Sequence, residues 1–123
     1  MAETARIEPG CIIAPFATVG SFARLGQNTL LNLYATAGHD AEIGSHCVFS
    51  PYSIANGGSF VGDRVFLGTS AVTAPGVRIG SDSKIAAGSI AYRDAAERSL
   101  VNGNPAKSYP LGGAASHPGQ LTG

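Results

Sequence analysis

Large aliphatic residues recur at every sixth position along most of this chain. From Ile7 to residue 96 the sequence divides into fifteen six-residue units, called hexads below, with no insertion between them. The first position of a hexad is Ile, Val, Leu or Phe eleven times, and the fifth position is always a small residue or Val. Neither position ever carries a charge. The four exceptions at the first position are Ala37, Ala55, Thr73 and Ala91. The pattern therefore predicts two inward residues in every six.

A period of six fits neither a helix, whose period is about 3.6, nor an amphipathic strand, whose period is 2. It predicts short strands joined by corners and stacked as a three-sided prism, with three hexads in each 18-residue coil. Five such coils, spaced by about 4.8 Å, make a column roughly 24 Å tall. The second position is Gly in seven hexads and Asn in two, Asn32 and Asn56. Because Gly and Asn tolerate positive φ, we expect the tight corner at that position.

This pattern resembles the left-handed parallel β-helix of hexapeptide-repeat acyltransferases, and VNGNPAK at residues 101–107 is similar to the segment that closes many of them. The resemblance implies an all-β fold of about five coils, and the left hand comes from it alone. We expect the domain to span residues 1–110, with repeats in 7–96 and a closing segment in 97–110. Residues 92–99 contain helix formers and could form one short turn. Residues 111–123 are expected to be a flexible tail.

Composition narrows the class of partner. The chain is 44% hydrophobic and 13% charged, which suits one compact domain. Its formal net charge is zero, so no basic field would attract nucleic acid or an anionic membrane. No apolar run reaches the length of a membrane span, and the N-terminus lacks a signal-peptide pattern. We therefore expect a soluble, cytoplasmic protein with no nucleic-acid or membrane partner.

His39 interrupts the aliphatic pattern with a group able to do acid–base chemistry. Residues 18 apart should stack, so the next residue above His39 is Gly57, which has no side chain. The exceptional first positions fall in one column just before this corner, and a channel floored by glycine and alanine would admit a slender ligand. A single imidazole can take the proton from an amine or hydroxyl that attacks a thioester. The other members of the stack are Ser21, Pro75 and Arg93.

The segment LNLYATAGHDAEIGSHCVFSP, residues 31–51, resembles the surroundings of the active-site histidine in sugar N-acetyltransferases of the sialic-acid and bacillosamine pathways. The resemblance implies that His39 is the general base, that Asp40 is its acidic modulator, and that acetyl-CoA lies between two subunits of a homotrimer. The acceptor would be a sugar, a nucleotide sugar or another small polar molecule. Cofactor contacts are implied for Gly57, Thr69 and Ala87, and substrate contacts for Asn32 and Tyr34.

Three features depart from the family pattern. The family commonly has a second histidine nine residues after the first, where this chain has Val48. Leu33 and Tyr34 replace a usual pair of small residues after Asn32 and would reshape the acceptor pocket. We also expect the N-terminal sugar-nucleotide domain of that family to be absent, because the repeat begins at residue 7. The acceptor, the choice between N- and O-acetylation, and the acyl length stay open.

Other polar groups allow different interpretations. Cys11 and Cys47 are two coils apart, about 9.6 Å by strand spacing, which is too far for a disulfide. The spacing of His39, His46 and His117 does not suit a zinc site of the kind that γ-class carbonic anhydrases build on this fold, so no metal is expected. His46 is expected to be a solvated corner residue. Three cations could pair with coenzyme A phosphates or simply be solvated: Lys84, Arg93 and Lys107.

Two functions from different classes remain open at this point. The first is an acetyl-CoA-dependent acetyltransferase that uses His39 for direct transfer. The second is a non-catalytic, trimeric β-helix that serves as a scaffold or binding module. His39 at the family position favours the enzyme, whereas Val48 and the expected lack of a sugar domain favour the scaffold.

Overall fold

The chain forms a parallel β-helix in the computed structural model, which describes residues 2–111. Sheet A contains β1 (Arg6–Ile7), β4 (Arg24–Leu25), β7 (Glu42–Ile43), β10 (Phe60–Val61) and β13 (Arg78–Ile79). Sheet B contains β2 (Ile12–Ile13), β5 (Leu30–Leu31), β8 (Val48–Phe49), β11 (Phe66–Leu67), β14 (Lys84–Ile85), β16 (Ser99–Gly103) and β17 (Ala106–Pro110). Sheet C contains β3 (Thr18–Val19), β6 (Thr36–Ala37), β9 (Ile54–Ala55), β12 (Val72–Thr73) and β15 (Ile90–Ala91).

Consecutive coils pair in parallel with a register shift of 18 residues. Ile7 lies opposite Leu25, and Ala37 lies opposite Ala55. The predicted coil of three hexads is thereby confirmed, as is the all-β fold, which is consistent with the left hand that the resemblance implies. No helix among residues 2–111 has the length and apolar character needed to cross a bilayer.

The core is filled by the first position of each hexad, as predicted. Phe49, Leu67 and Ile85 of sheet B are fully buried and occupy the axis of the prism. The fifth positions are small and buried, for example Ala35 and Ala71. Burying this apolar column stabilises the fold by about 25 cal/mol for each Å² removed from water.

The corners correct one expectation drawn from the sequence. Positive φ occurs at the fourth position of fourteen of the fifteen hexads, for example Tyr34 (60°) and Asp40 (58°), and at none of the second-position glycines. Those glycines serve a different purpose, because a Cβ on Gly68 would lie 2.7 Å from the backbone nitrogen of Ala87 in the next coil. The second position is thus a point of close backbone approach, not the tight turn.

The C-terminal end of the column is closed by a hairpin. Strand β16 extends sheet B by pairing in parallel with β14, and β17 folds back antiparallel on β16. The predicted helical turn at residues 92–99 is wrong, because Ala95 forms a bridge with Ile79 and β16 begins at Ser99. The backbone of this segment instead bonds to the last coil, with Ala95 N donating to Arg78 O and Arg98 N to Ser81 O, both at 2.9 Å. Of the predicted tail, all but Leu111 lies outside the described residues.

Three corners join the sheets, and they are named by the sheets they connect. The BC corner comprises residues 14–17, 32–35, 50–53, 68–71 and 86–89. The CA corner comprises residues 20–23, 38–41, 56–59 and 74–77. The AB corner comprises residues 8–11, 26–29, 44–47, 62–65 and 80–83.

Candidate functional site

His39 lies on the CA corner, between the end of β6 and the start of β7. Its carbonyl oxygen accepts a hydrogen bond from Gly58 N at 2.9 Å. Asp40 N donates to Ser21 O at 2.9 Å. The coils above and below therefore hold the backbone of this corner from both sides.

The imidazole of His39 faces the carboxylate of Asp40. His39 Nδ1 lies 3.2 Å from Asp40 Oδ2, and the two side chains are 74% and 65% exposed. With Nδ1 protonated and donating to the carboxylate, Nε2 carries the free lone pair. An exposed ion pair of this kind contributes little to the stability of the fold, so its main effect is to fix the orientation of the His39 imidazole.

The imidazole of His39 lies in the space left by the missing side chain of Gly57. A Cβ built on Gly57 would lie within 3 Å of three ring atoms of His39, including Cδ2 at 2.8 Å. The predicted stack of His39 on Gly57 is therefore confirmed. A residue with any side chain at position 57 would push the ring outward.

The fourth hexad position of the CA corner carries no side chain for two coils beyond Asp40, and the exposed Pro75 lies beside it. Gly58 and Gly76 follow Asp40 at the same hexad position, and a Cβ on Gly76 would meet nothing within 4 Å. The alanines of sheet C contribute differently from what the sequence suggested. Ala55 and Ala91 point into the core and are buried, so the glycines alone make the open strip beside His39.

The other predicted ligand contacts lie on a different corner. Asn32, Tyr34, Thr69 and Ala87 all belong to the BC corner, at the opposite edge of sheet C from His39 and Gly57. Asn32 Oδ1 accepts a hydrogen bond from Leu33 N at 2.8 Å, which orients its amide toward its own turn. Within one chain, therefore, the predicted contacts form two separate groups.

Tyr34 is the middle ring of an aromatic stack that the sequence analysis missed. Its ring centroid lies 5.1 Å from that of Phe16 and 5.0 Å from that of Tyr52, with the planes within 9° of parallel. All three rings are exposed. The spacing of 18 between these aromatic residues was the signal that could have revealed the stack.

The remaining sequence candidates are dispersed. His46 is an exposed residue of the AB corner, as expected, and Val48 begins β8 on the outer side of sheet B. Lys84, Arg93 and Lys107 are all exposed. Within residues 2–111 no group of three or more His, Cys, Asp or Glu side chains could hold a metal ion. His117 lies outside the described residues.

Two further polar features involve the AB corner. Arg64 Nε donates to Asp82 Oδ1 at 2.7 Å, and this hydrogen bond lowers the pKa of the Asp82 carboxyl. Cys47 is buried and free, as is the half-buried Cys11. Burial raises the pKa of the Cys47 thiol, which donates to Gly62 O at 3.0 Å. Such a protonated, buried thiol is unreactive.

Comparison with known proteins supports the fold and the repeat. Residues 60–93 match the family model described as the hexapeptide repeat of succinyl-transferase. The Saccharomyces cerevisiae protein YJL218W is 48% identical over 46 residues, which are 37% of this chain and 24% of that protein.

Two solved structures are similar over most of this chain. One is a variant of perosamine N-acetyltransferase from Caulobacter crescentus in complex with CoA and GDP-perosamine, with 30% identity and a TM-score of 0.76 over 87% of this chain and 54% of that one. The other is the acetyltransferase domain of PglB from Neisseria gonorrhoeae in complex with acetyl coenzyme A, with 26% identity and a TM-score of 0.76 over 87% and 55%.

The chain thus has the repeat and the fold of the hexapeptide-repeat acetyltransferases. The matched regions cover about half the length of these solved relatives and about a quarter of the yeast protein.

Proposed function

We propose that the chain acts as an acetyl-CoA-dependent acetyltransferase on an amine or hydroxyl of a sugar, with His39 as the general base. The observation that carries this proposal is the arrangement of three residues on the CA corner. Asp40 holds Nδ1 of the imidazole, and Gly57 leaves the space in which the ring lies. The two similar solved proteins, an N-acetyltransferase with CoA and an acetyltransferase domain with acetyl coenzyme A, support the same chemistry.

The open strip of the CA corner fits a slender thioester-bearing chain. Beyond the imidazole the strip consists of Gly58 and Gly76, with Pro75 beside it, and a Cβ at either glycine would meet no atom closer than 3.9 Å. Acetyl-CoA supplies the acetyl group as a thioester. A chain the width of pantetheine could run along this strip without displacing a side chain.

His39 removes the proton that the acceptor must lose. The acceptor nitrogen or oxygen forms a bond to the thioester carbonyl carbon, the carbon–sulfur bond breaks, and the electron pair leaves with the sulfur. Nε2 takes the proton from the acceptor and then returns it to the departing thiolate, so the imidazole is unchanged after the cycle. Asp40 keeps the imidazole in the tautomer that this step needs. No covalent intermediate on the protein is required.

We also propose that the active unit is a homotrimer in which the outer face of sheet C lines the threefold axis. The outward residues of this face carry no charge; they are Thr18, Thr36, Ile54, Val72 and Ile90. Uncharged, apolar faces are typical of permanent interfaces. Sheet A, by contrast, presents Arg6, Arg24, Glu42 and Arg78 outward. Sheet B presents Lys84 after four apolar residues, so the choice of sheet C over sheet B rests on His39, whose CA corner borders sheet C and not sheet B.

This arrangement would unite the two groups of predicted contacts. The CA and BC corners flank sheet C on opposite sides, so a ring with sheet C inward brings the CA corner of one copy to the BC corner of the next. His39 and Gly57 of one copy would then face Thr69 and Ala87 of its neighbour. A site between copies also excludes water better than one convex corner does.

The decisive experiment compares two histidine variants with the native chain. Binding of acetyl-CoA is measured by calorimetry, and acetyl transfer to a panel of amino sugars is measured by release of free thiol. His39→Asn should abolish transfer, whereas His46→Asn, at an exposed histidine on another corner, should leave it unchanged. Failure of the native chain to bind acetyl-CoA at millimolar concentration would refute the proposal and leave the non-catalytic scaffold.

A further inference from the structure

Exposed aromatic side chains lie on both corners that border sheet C. Phe22 is on the CA corner, and Phe16, Tyr34 and Tyr52 are on the BC corner. The AB corner has no exposed large hydrophobic residue in the part of the chain that the structure describes. The aromatic rings of the corners therefore flank the sheet that the proposed trimer turns inward.

Along each of these two corners the fourth hexad position changes from an aromatic ring to a small or absent side chain. Towards the C-terminus the aromatic residues give way to Gly58 and Gly76 on the CA corner and to Ser70 and Gly88 on the BC corner. A Cβ on Gly76 or on Gly88 would meet no atom within 4 Å. Each corner thus has an aromatic N-terminal half and a bare C-terminal half, and Asp40 marks the boundary on the CA corner.

Phe22 lies one coil before Asp40 in the same column of hexad positions. The strands on either side of this corner pair with a shift of 18 residues. Within the corner the two coils are joined directly, because Asp40 N donates to Ser21 O at 2.9 Å. Adjacent coils are about 4.8 Å apart, and adjacent Cα atoms along the chain about 3.8 Å. A ligand that rests on the Phe22 ring is therefore next to the pair formed by His39 and Asp40.

The ring of Phe22 is available to a ligand. Its side chain is 63% exposed, and neither of the aromatic stacking contacts among the described residues involves it. Its backbone is held in place, because Phe22 N donates to Thr4 Oγ1 at 3.1 Å. The exposed Ser21, one coil before His39, adds a hydroxyl that can donate and accept hydrogen bonds. An apolar ring beside a hydroxyl suits a small molecule that has both apolar and polar surfaces.

The two halves of the CA corner differ in what they can bind. The bare half beyond Asp40 is the strip that takes the slender thioester chain in the proposed function. The acceptor must reach the same carbonyl and the same imidazole, and the N-terminal side of His39 is the side that the thioester chain leaves open. A pyranose ring has hydroxyl groups around its edge and C–H groups on its faces. It can lay a face on Phe22 and direct an amine to the imidazole, whereas an acyclic amino alcohol has no such face.

We propose that Phe22 binds the acceptor of the transfer reaction by packing against one face of its pyranose ring, and so selects cyclic amino sugars over acyclic amino alcohols. This inference rests on the proposed function, because it takes His39 as the base that the acceptor must reach. The sequence resemblance implied substrate contacts for Asn32 and Tyr34 only, so Phe22 is a further specificity-determining residue.

In the proposed trimer the aromatic stack of the next copy closes the other side of this site. Tyr34 and Asp40 are one hexad apart, which is a third of a coil or about 1.6 Å along the column. Because a threefold rotation keeps the height of every coil, Tyr34 of the next copy lies at nearly the level of Asp40 and within one coil of Phe22. The pyranose ring then lies between Phe22 of one copy and Tyr34 of the next, shielded from water.

Binding to the native chain gives the first test, and it needs no catalysis. D-glucosamine and 2-amino-1,3-propanediol are each titrated into the native chain, Phe22→Ala and Phe66→Ala, and NMR chemical shifts give the affinities. Phe66 is a matched control, since it is also exposed but lies on the outer face of sheet B. Phe22→Ala should bind D-glucosamine about tenfold more weakly, because apolar contact area is lost, and should bind the propanediol as the native chain does. Equal affinities of the two variants for D-glucosamine, or an equal loss for both ligands, would overturn the inference.

Steady-state kinetics give the second test, because donor and acceptor lie on different sides of His39. In Phe22→Ala the KM for D-glucosamine should rise about tenfold, whereas the KM for acetyl-CoA should stay native. Phe22→Tyr keeps the aromatic ring and should keep the native KM for D-glucosamine. A rise in the KM for acetyl-CoA instead, or the same rise in the KM for D-glucosamine in Phe66→Ala, would overturn the inference.

Mixed trimers test the contribution of the next copy. Chains with His39→Asn and chains with Tyr34→Ala are co-expressed with different affinity tags, and trimers that contain both are purified. Tyr34→Ala alone should show a KM for D-glucosamine raised about tenfold. In the mixed trimers some sites combine a native His39 with a native Tyr34 from the next copy, so a component with native KM should reappear. Mixed trimers with only the raised KM would overturn the placement of Tyr34.

The two proposals fail in different ways. If acetyl-CoA binds and transfer depends on His39, but the KM for D-glucosamine is the same in Phe22→Ala as in the native chain, the acetyltransferase assignment stands and the role of Phe22 is wrong. If acetyl-CoA does not bind, the proposed function fails first.

Discussion

The imidazole of His39 lies against Gly57, which stands one coil further along the chain, and fills the space that a Cβ there would need. Gly57→Ala should therefore displace the ring while leaving the fold intact. Because a shift of about 1 Å in a reacting group can cost up to a hundredfold in rate, we expect kcat to fall about 10- to 100-fold. Steady-state transfer to an amino sugar measures the change.

A double-mutant cycle separates this collision from a general loss of stability. Gly57→Ala should lower the free energy of unfolding by about 1 kcal/mol in the native background, since overpacking is destabilising. In the His39→Ala background the ring is gone, and the same substitution should cost almost nothing. An equal cost in both backgrounds, measured by urea unfolding, would show that Gly57 does not act through His39.

Asp40 can be tested with a control at the same hexad position. Asp40→Asn removes the charge that faces His39 Nδ1 but keeps a residue that tolerates the left-handed conformation. We expect kcat to fall about tenfold, because the imidazole loses the partner that fixes its tautomer. Asp82→Asn makes the same change at another corner residue with positive φ and should keep native kcat. Equal kcat values for the two variants would remove Asp40 from the mechanism.

The threefold arrangement predicts which face tolerates charge. Val72→Asp places a carboxylate on the outer face of sheet C, where burial of an unpaired charge would break the trimer. Val48→Asp makes the same change on the outer face of sheet B and should leave the assembly intact. Sedimentation equilibrium should give three times the chain mass of 12.4 kDa for the native protein and for Val48→Asp. A monomeric native chain, or a trimeric Val72→Asp, would exclude the arrangement.

Substitution by alanine should destabilise the fold to different degrees at the two kinds of glycine in the repeat. At Gly68 a Cβ would lie 2.7 Å from the backbone of the next coil, and backbone cannot move aside. At Gly76 a Cβ meets open space, and only the positive φ of 74° is unfavourable. We expect losses in unfolding free energy of about 3 kcal/mol for Gly68→Ala and about 1 kcal/mol for Gly76→Ala. The reverse order in urea unfolding would contradict the assignment of the turn to the fourth position.

The sequence predicted the period because one large inward residue per hexad is a strong, regular signal. It did not reveal the conformation of each position: glycine fits both a positive φ and a close backbone approach, and only coordinates separate the two uses. Tyr34, Asp40 and His46 adopt positive φ without being glycine, so composition pointed to the wrong residue of the turn.

For the candidate site, the sequence was most informative where one residue stacks directly on another. The stacking of His39 on Gly57 follows from the spacing of 18 residues and can be predicted without knowing any side-chain conformation. The contact of the Arg78 guanidinium with the Phe60 ring, at 4.2 Å, depends on outward rotamers that no repeat constrains. The period also places Gly57 and Thr69 on different corners, because their spacing of 12 is not a multiple of 18.

The buried thiol of Cys47 should make stability depend on alkaline pH. Burial raises its pKa above the ordinary value of 9.0, so the folded chain holds this proton more tightly than the unfolded chain does. That contribution is complete below pH 9.0 and is lost as the pH rises through the raised value. Unfolding free energies measured from pH 8 to 10.5 should fall more steeply for the native chain than for Cys47→Ala. Parallel curves for the native chain and Cys47→Ala would refute the assignment, because they would show that other groups cause the decline.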